Sequence, residues 1–265
     1  MQDRLDLHSL PFLVVALLIF FIPLVVFLKN KKSALNRTFF ILASASALWQ
    51  VSFFFALNNE DPFIIMWWFR LSYVGIAFIT PATFHFVSTL LGIKKIRPVL
   101  AAYLFAAFCS FLILRTELVI SGIRKFYWGP CPVAGPLHNI FLAIWFVPFL
   151  VSLAYLFREH RSSASPYNKT RIRYFLVSLP IVYLGAVDFL PIYGFNVYPW
   201  GSFPVLFFCL LTVYSILRYR VLDIEIIIKK ATLAALGIAV SISALYFGSF
   251  FLQPYFHILG GKNWV

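Results

Sequence analysis

The chain has 265 residues, of which 62% are hydrophobic and 12% charged, with a formal net charge of +13 and a mean hydropathy of +0.90. A soluble domain of this size spends roughly a quarter of its residues on charged side chains, so water is excluded as the main solvent for this surface. The basic excess falls in short clusters suited to anionic lipid headgroups, and no nucleic-acid partner is needed to explain it.

A bilayer core of about 30 Å takes roughly 20 apolar residues at the helical rise. Uncharged runs of that kind predict eight membrane helices, at residues 11–28, 38–57, 66–91, 98–114, 138–157, 174–193, 199–217 and 231–252. Before the first run, Asp3, Arg4 and Asp6 stand where a signal peptide would carry basic residues, and no small-residue cleavage site follows it, so no signal peptide is expected. Lys29, Lys31, Lys32 and Arg37 follow the first run, and Lys94, Lys95 and Arg97 the third. Arg158, Arg161, Lys169, Arg171 and Arg173 follow the fifth, and Arg218, Arg220, Lys229 and Lys230 the seventh. Short cytoplasmic loops hold such excesses, so these four loops are expected inside and the N-terminus outside. Of the outer connections, 58–65 holds Glu60 and Asp61 and 192–198 holds no charge. The longest, 115–137, holds Arg115, Arg124 and Lys125, and its Gly and Pro residues predict a turn-rich cap.

The five histidines form no H-E-x-x-H pair, and neither a G-x-S-x-G elbow nor a phosphate-binding Gly-rich loop is present, so no catalytic residue set is expected. Cys109, Cys131 and Cys209 lack C-x-x-C spacing and suggest neither a metal site nor a disulfide framework; no cofactor is expected. The seventh run has no lysine to form a Schiff base, which excludes a retinal-type photoreceptor. No internal repeat at a fixed period is evident.

Asp188, inside the sixth run, is the most informative residue, because an acid at membrane depth is costly without a partner or a wet cavity. Its plain alternatives are an acid near enough to the interface to reach water, or a structural hydrogen bond near the kink at Pro191. Arg70, at similar depth in the third run, or the outer-loop backbone is the expected partner, and an ordinary snorkelling arginine is the alternative reading of Arg70. His85 could titrate or relay a proton, although a packing histidine explains it as simply. Trp67, Trp68, Tyr127, Trp128, Tyr198 and Trp200 gather at the outer boundary. An aromatic belt predicts them, and a ligand cage drawing on Trp128, Tyr198 and Trp200 is the alternative. Asp188 and His85 also admit a small transporter or channel.

Y-W-G-P at 127–130 and G-P-L-H-N-I-F at 135–141 precede a basic loop, then come G-A-V-D-F-L-P at 185–191, Y-P-W-G at 198–201 and I-L-R-Y-R-V-L-D-I-E at 216–225. This order resembles the N-terminal seven-helix membrane region of bacterial sensor histidine kinases, over about residues 10–230. The resemblance implies an all-α integral membrane protein: a seven-helix sensory bundle over 1–230, then an additional helix and short tail over 231–265. It implies an input module of a two-component system in the bacterial cell membrane, with Arg218, Tyr219, Arg220 and Asp223 in the segment that couples to the output. Expected partners are the lipid bilayer, a second copy of the chain in a homodimer, and a cytoplasmic kinase or response regulator on another chain or downstream. This sequence has no phosphoacceptor helix or nucleotide boxes, so either it is the input region of a longer protein or it works as a stand-alone sensor, and it is not expected to be an enzyme itself.

Overall fold

A computed structural model describes residues 7–94 and 96–218. Among them are seven α-helices: α1 (Leu10–Lys29), α2 (Ala34–Leu57), α3 (Pro62–Leu90), α4 (Ile96–Arg115), α5 (His138–Ser162), α6 (Pro166–Tyr183) and α7 (Ser202–Arg218). By length and composition, six helical segments can cross a membrane: α1 to α5 and 168–193, which contains most of α6 and the turns after it. α7 is shorter, with an apolar stretch at Ser202–Tyr214. The chain is an all-α membrane protein, as its composition requires. The run expected at 231–252 lies outside the described residues.

The helices begin where the sequence supplies caps. The Ser33 hydroxyl accepts from Asn36 N–H, the Asp61 carboxylate from Phe63 N–H and the Ser165 hydroxyl from Asn168 N–H. Pro11, Pro62 and Pro166 stand in first turns, where a missing N–H costs nothing. α6 starts eight residues before the apolar run expected at 174, because the polar turn Lys169–Arg173 is helical too. Apolarity marks the part of a helix that meets lipid, and capping marks the part that is helical. At its other end α6 stops at Tyr183 and gives way to two 3-10 turns, Leu184–Phe189 and Pro191–Tyr193.

α3 packs on α2, α4 and α5, and contacts run on from α5 to α6, α6 to α7 and α7 back to α1, which closes a ring with α4 outside it on α3. The α2–α3 crossing is tight at Gly75, where a Cβ would lie 2.6 Å from Trp49 N and 2.8 Å from Ala45 O. Close backbone approach at a small residue is how membrane helices gain dispersion contacts when lipid is as apolar as the side chains. Ile96, Leu100, Leu104 and Phe108, spaced at four, make an exposed apolar stripe on α4. Hydrocarbon is the solvent that suits it.

The segment expected to be a turn-rich cap contains a hairpin, β1 (Ile120–Phe126) against β2 (Gly129–Ala134), antiparallel and turning at Tyr127 and Trp128. Pro130 and Pro132 are tolerated because a two-stranded sheet leaves each strand one unpaired edge. The hairpin folds back onto the bundle, contacting α2, α3 and the Pro191–Tyr193 turn. Trp128 is 1% exposed, lies parallel to Phe126 and meets Tyr198 edge-on at 6.1 Å. Trp200, at 40% exposed, fits a belt residue, whereas Trp128 is a core residue of the cap.

Candidate functional site

The junction between α6 and α7 is the most constrained polar feature of the bundle. Asp188, in the first 3-10 turn, accepts a 2.7 Å hydrogen bond at Oδ1 from Gly201 N–H, just ahead of α7. An anion there also meets the positive end of the α7 dipole. Gly201 is required by distance: a Cβ on it would lie 2.5 Å from Asp188 Oδ2 and 2.7 Å from Gly185 O. One residue on, Ser202 donates to Gln50 Oε1 of α2 at 2.7 Å, fully buried. The start of α7 is therefore fastened twice, to the end of α6 and to α2.

Asp188 lines a cavity between α2, α3, α5 and the α6–α7 junction, with about 70 Å3 open to the centres of water-sized molecules. Most of the lining is apolar or aromatic, with Ser46, Ser72 and Thr83 as the other polar wall residues. One water takes about 10–15 Å3 of such space, so the cavity has room for several waters or one small organic molecule.

Beside this cavity runs a chain of hydrogen bonds. Tyr73 Oη lies 2.8 Å from His138 Nε2, His138 Nδ1 lies 2.6 Å from Tyr193 Oη, and the Tyr193 hydroxyl donates to Asn139 Oδ1. Donor bookkeeping sets the direction. Tyr193 has used its proton on Asn139 and must accept from His138 Nδ1–H, so neutral His138 accepts at Nε2 from Tyr73. Phe189, one residue after Asp188, packs edge-on against the imidazole at 5.8 Å. The buried imidazole thus couples α3, α5 and the Pro191–Tyr193 turn. Cys131 of β2 is buried too, and burial pushes its thiol up, with Arg124 pulling it partly back.

The residues singled out in the sequence do not form one cluster. Arg70 donates to Leu114 O at 3.0 Å and sits 5.8 Å over the Trp67 ring, tying α3 to α4, while Asp188 is held by the backbone of Gly201. The expected Asp188–Arg70 pair is thus replaced by a backbone cap, because equal depth does not place two residues on facing sides of their helices. His85 approaches Tyr103 of α4 at 3.4 Å and is absent from the cavity wall, so the two groups of a proton path are not brought together. Tyr198 donates to His8 O at 2.7 Å and meets Trp128; Trp200 precedes Gly201 at the junction. Arg218 ends α7, and Tyr219, Arg220 and Asp223 lie outside the described residues. Sequence reading missed Tyr73, His138, Tyr193 and Gln50. The available signal was His138, an imidazole opening an apolar run in G-P-L-H-N-I-F.

Residues 11–225 match the family model described as the N-terminal 7TM region of histidine kinase. No curated protein matches the sequence.

Proposed function

Because the chain belongs to the family of N-terminal 7TM regions of histidine kinases, we propose that it is the membrane-embedded input module of a two-component signalling system. In this reading it sits in a bacterial cell membrane with its N-terminus and the β1–β2 hairpin outside. The alternation of basic and weakly charged connections supports that orientation. The observation that carries the function is the Asp188–Gly201 hydrogen bond on the wall of the cavity. It links the cavity to α7, the helix that leads into R-Y-R-V-L-D-I-E at 218–225. A signal that binds one arrangement of the junction better than another shifts the population of α7 positions, and the output follows that shift.

The test is autophosphorylation of a histidine-kinase output fused after this membrane region. Asp188→Asn keeps an oxygen for Gly201 N–H and removes the charge, so it alters kinase output while the folded yield stays near that of the parent. Asp188→Leu removes the hydrogen bond as well and changes output further. Unaltered output for both substitutions, in protein that folds, would refute the reading.

A further inference from the structure

We propose that the cavity at the α6–α7 junction binds a small organic ammonium ion, its charged head on Asp188 and its apolar body between α2, α3 and α5. The proposal rests on the sensory reading above and gives the signal a chemistry. It follows from which hydrogen-bonding capacity the wall has left. The Ser46 hydroxyl donates to Leu42 O at 3.1 Å, Thr83 to Ile79 O at 2.8 Å and the Trp145 indole N–H to Ile76 O at 2.7 Å. Those three donors are spent on helix carbonyls, so Ser46 and Thr83 offer the cavity only acceptor lone pairs. Asp188 adds a carboxyl group that accepts from Gly201 N–H and also faces Trp200 N–H, with acceptor positions left over. Ser72 and Tyr183, whose buried hydroxyl has no hydrogen-bond partner among the described residues, are the wall hydroxyls that can turn either way.

A wall of this kind discriminates by head group. A carboxylate or phosphate would bring a second negative charge against Asp188, with no cationic side chain on the wall to offset it. A wholly apolar guest would leave the acid without a counter-charge in apolar surroundings. An ammonium supplies donors to Asp188, Ser46 and Thr83 and a charge to the carboxylate, and such pairs are the stronger hydrogen bonds. The faces of Trp49, Tyr183 and Phe189, all on the wall, add the attraction of aromatic rings for organic cations. Engaging Asp188 while the body presses on α2 and α3 acts on the fastening that holds α7.

Trp49 and Trp145 report occupancy through intrinsic fluorescence of the purified protein in lipid nanodiscs. The probes share one ring: phenethylamine, phenethyl alcohol and phenylpropionate. Phenethylamine is expected to quench saturably, phenethyl alcohol at least about tenfold more weakly, and phenylpropionate not at all. Asp188→Asn is expected to weaken phenethylamine about tenfold and leave phenethyl alcohol unchanged. Ala186→Phe fills the cavity with the acid intact and is expected to abolish quenching in protein whose thermal transition is retained. Equal affinities for the amine and the alcohol, or amine binding indifferent to both substitutions, overturn the proposal. No saturable quenching by the amine also overturns it, while the sensory reading stands if Asp188→Asn still alters kinase output. Quenching as expected with output unmoved by phenethylamine supports the site and counts against the sensory reading.

Discussion

Replacing Gly201 with alanine adds one methyl group at the junction, and the structure says what it meets. Its carbon would lie 2.5 Å from Asp188 Oδ2, 2.7 Å from Asp188 Cγ and 2.7 Å from Gly185 O. Gly201 is not among the positive-φ glycines, so alanine adds no torsional strain and the whole cost is contact. The Gly185 carbonyl is backbone and yields little; overpacking of this kind costs about 1–3 kcal/mol. The Asp188 carboxyl can yield only by leaving Gly201 N–H, and such a hydrogen bond contributes about 0.5–1.5 kcal/mol. The expected destabilisation is about 1.5–4.5 kcal/mol, read from denaturant unfolding in detergent micelles, with Gly122→Ala, which meets nothing within 4 Å, as the silent control. In an Asp188→Ala background the carboxyl contacts vanish and the Gly185 contact remains, so the cost of Gly201→Ala should fall by about 0.5–1.5 kcal/mol. A cost below about 0.5 kcal/mol, or the same cost in both backgrounds, would refute the account of this junction.

Other expectations follow from single contacts. Tyr73→Phe removes the donor to His138 Nε2 and leaves a buried ring nitrogen unmet, costing about 1–3 kcal/mol in the same unfolding assay. Because burial raises the Cys131 thiol above its ordinary value of 9.0, the unfolded chain ionises first as pH rises. Stability is therefore lost progressively above that value, and Cys131→Ala should flatten the alkaline fall seen in a pH series of melting temperatures. The three native cysteines are buried, so engineered ones can be labelled against a quiet background. Cysteines at Glu60 and Tyr127 should react with an impermeant maleimide in intact cells, and those at Lys31 and Lys169 only after permeabilisation; the reverse pattern would invert the proposed orientation.

Much of the bundle is legible from apolar run length alone, since hydrocarbon leaves a spanning segment little choice but a helix. What run length misses is whatever is decided outside hydrocarbon. The polar first turn of α6 is set by the Ser165 cap, and the Pro-rich outer connection forms a hairpin because Trp128 has a core to fill. Asp188 stands out in the sequence by its cost. Its partner does not, because a backbone N–H carries no letter in the sequence, and Gly201 reads as a turn residue until the carboxylate is seen against it. The Tyr73–His138–Tyr193 chain joins residues 65 and 55 positions apart and has no local pattern to betray it.

The central claim is that Asp188 governs how α6 and α7 meet. The most direct measurement is the distance distribution between spin labels at Val177 on α6 and Phe207 on α7, both exposed side chains, taken by pulsed electron paramagnetic resonance in nanodiscs. With Asp188 in place the account predicts one narrow distribution; Asp188→Leu should shift it or split it into two populations, with Asp188→Asn between the two. Superimposable distributions for all three proteins would contradict the claim.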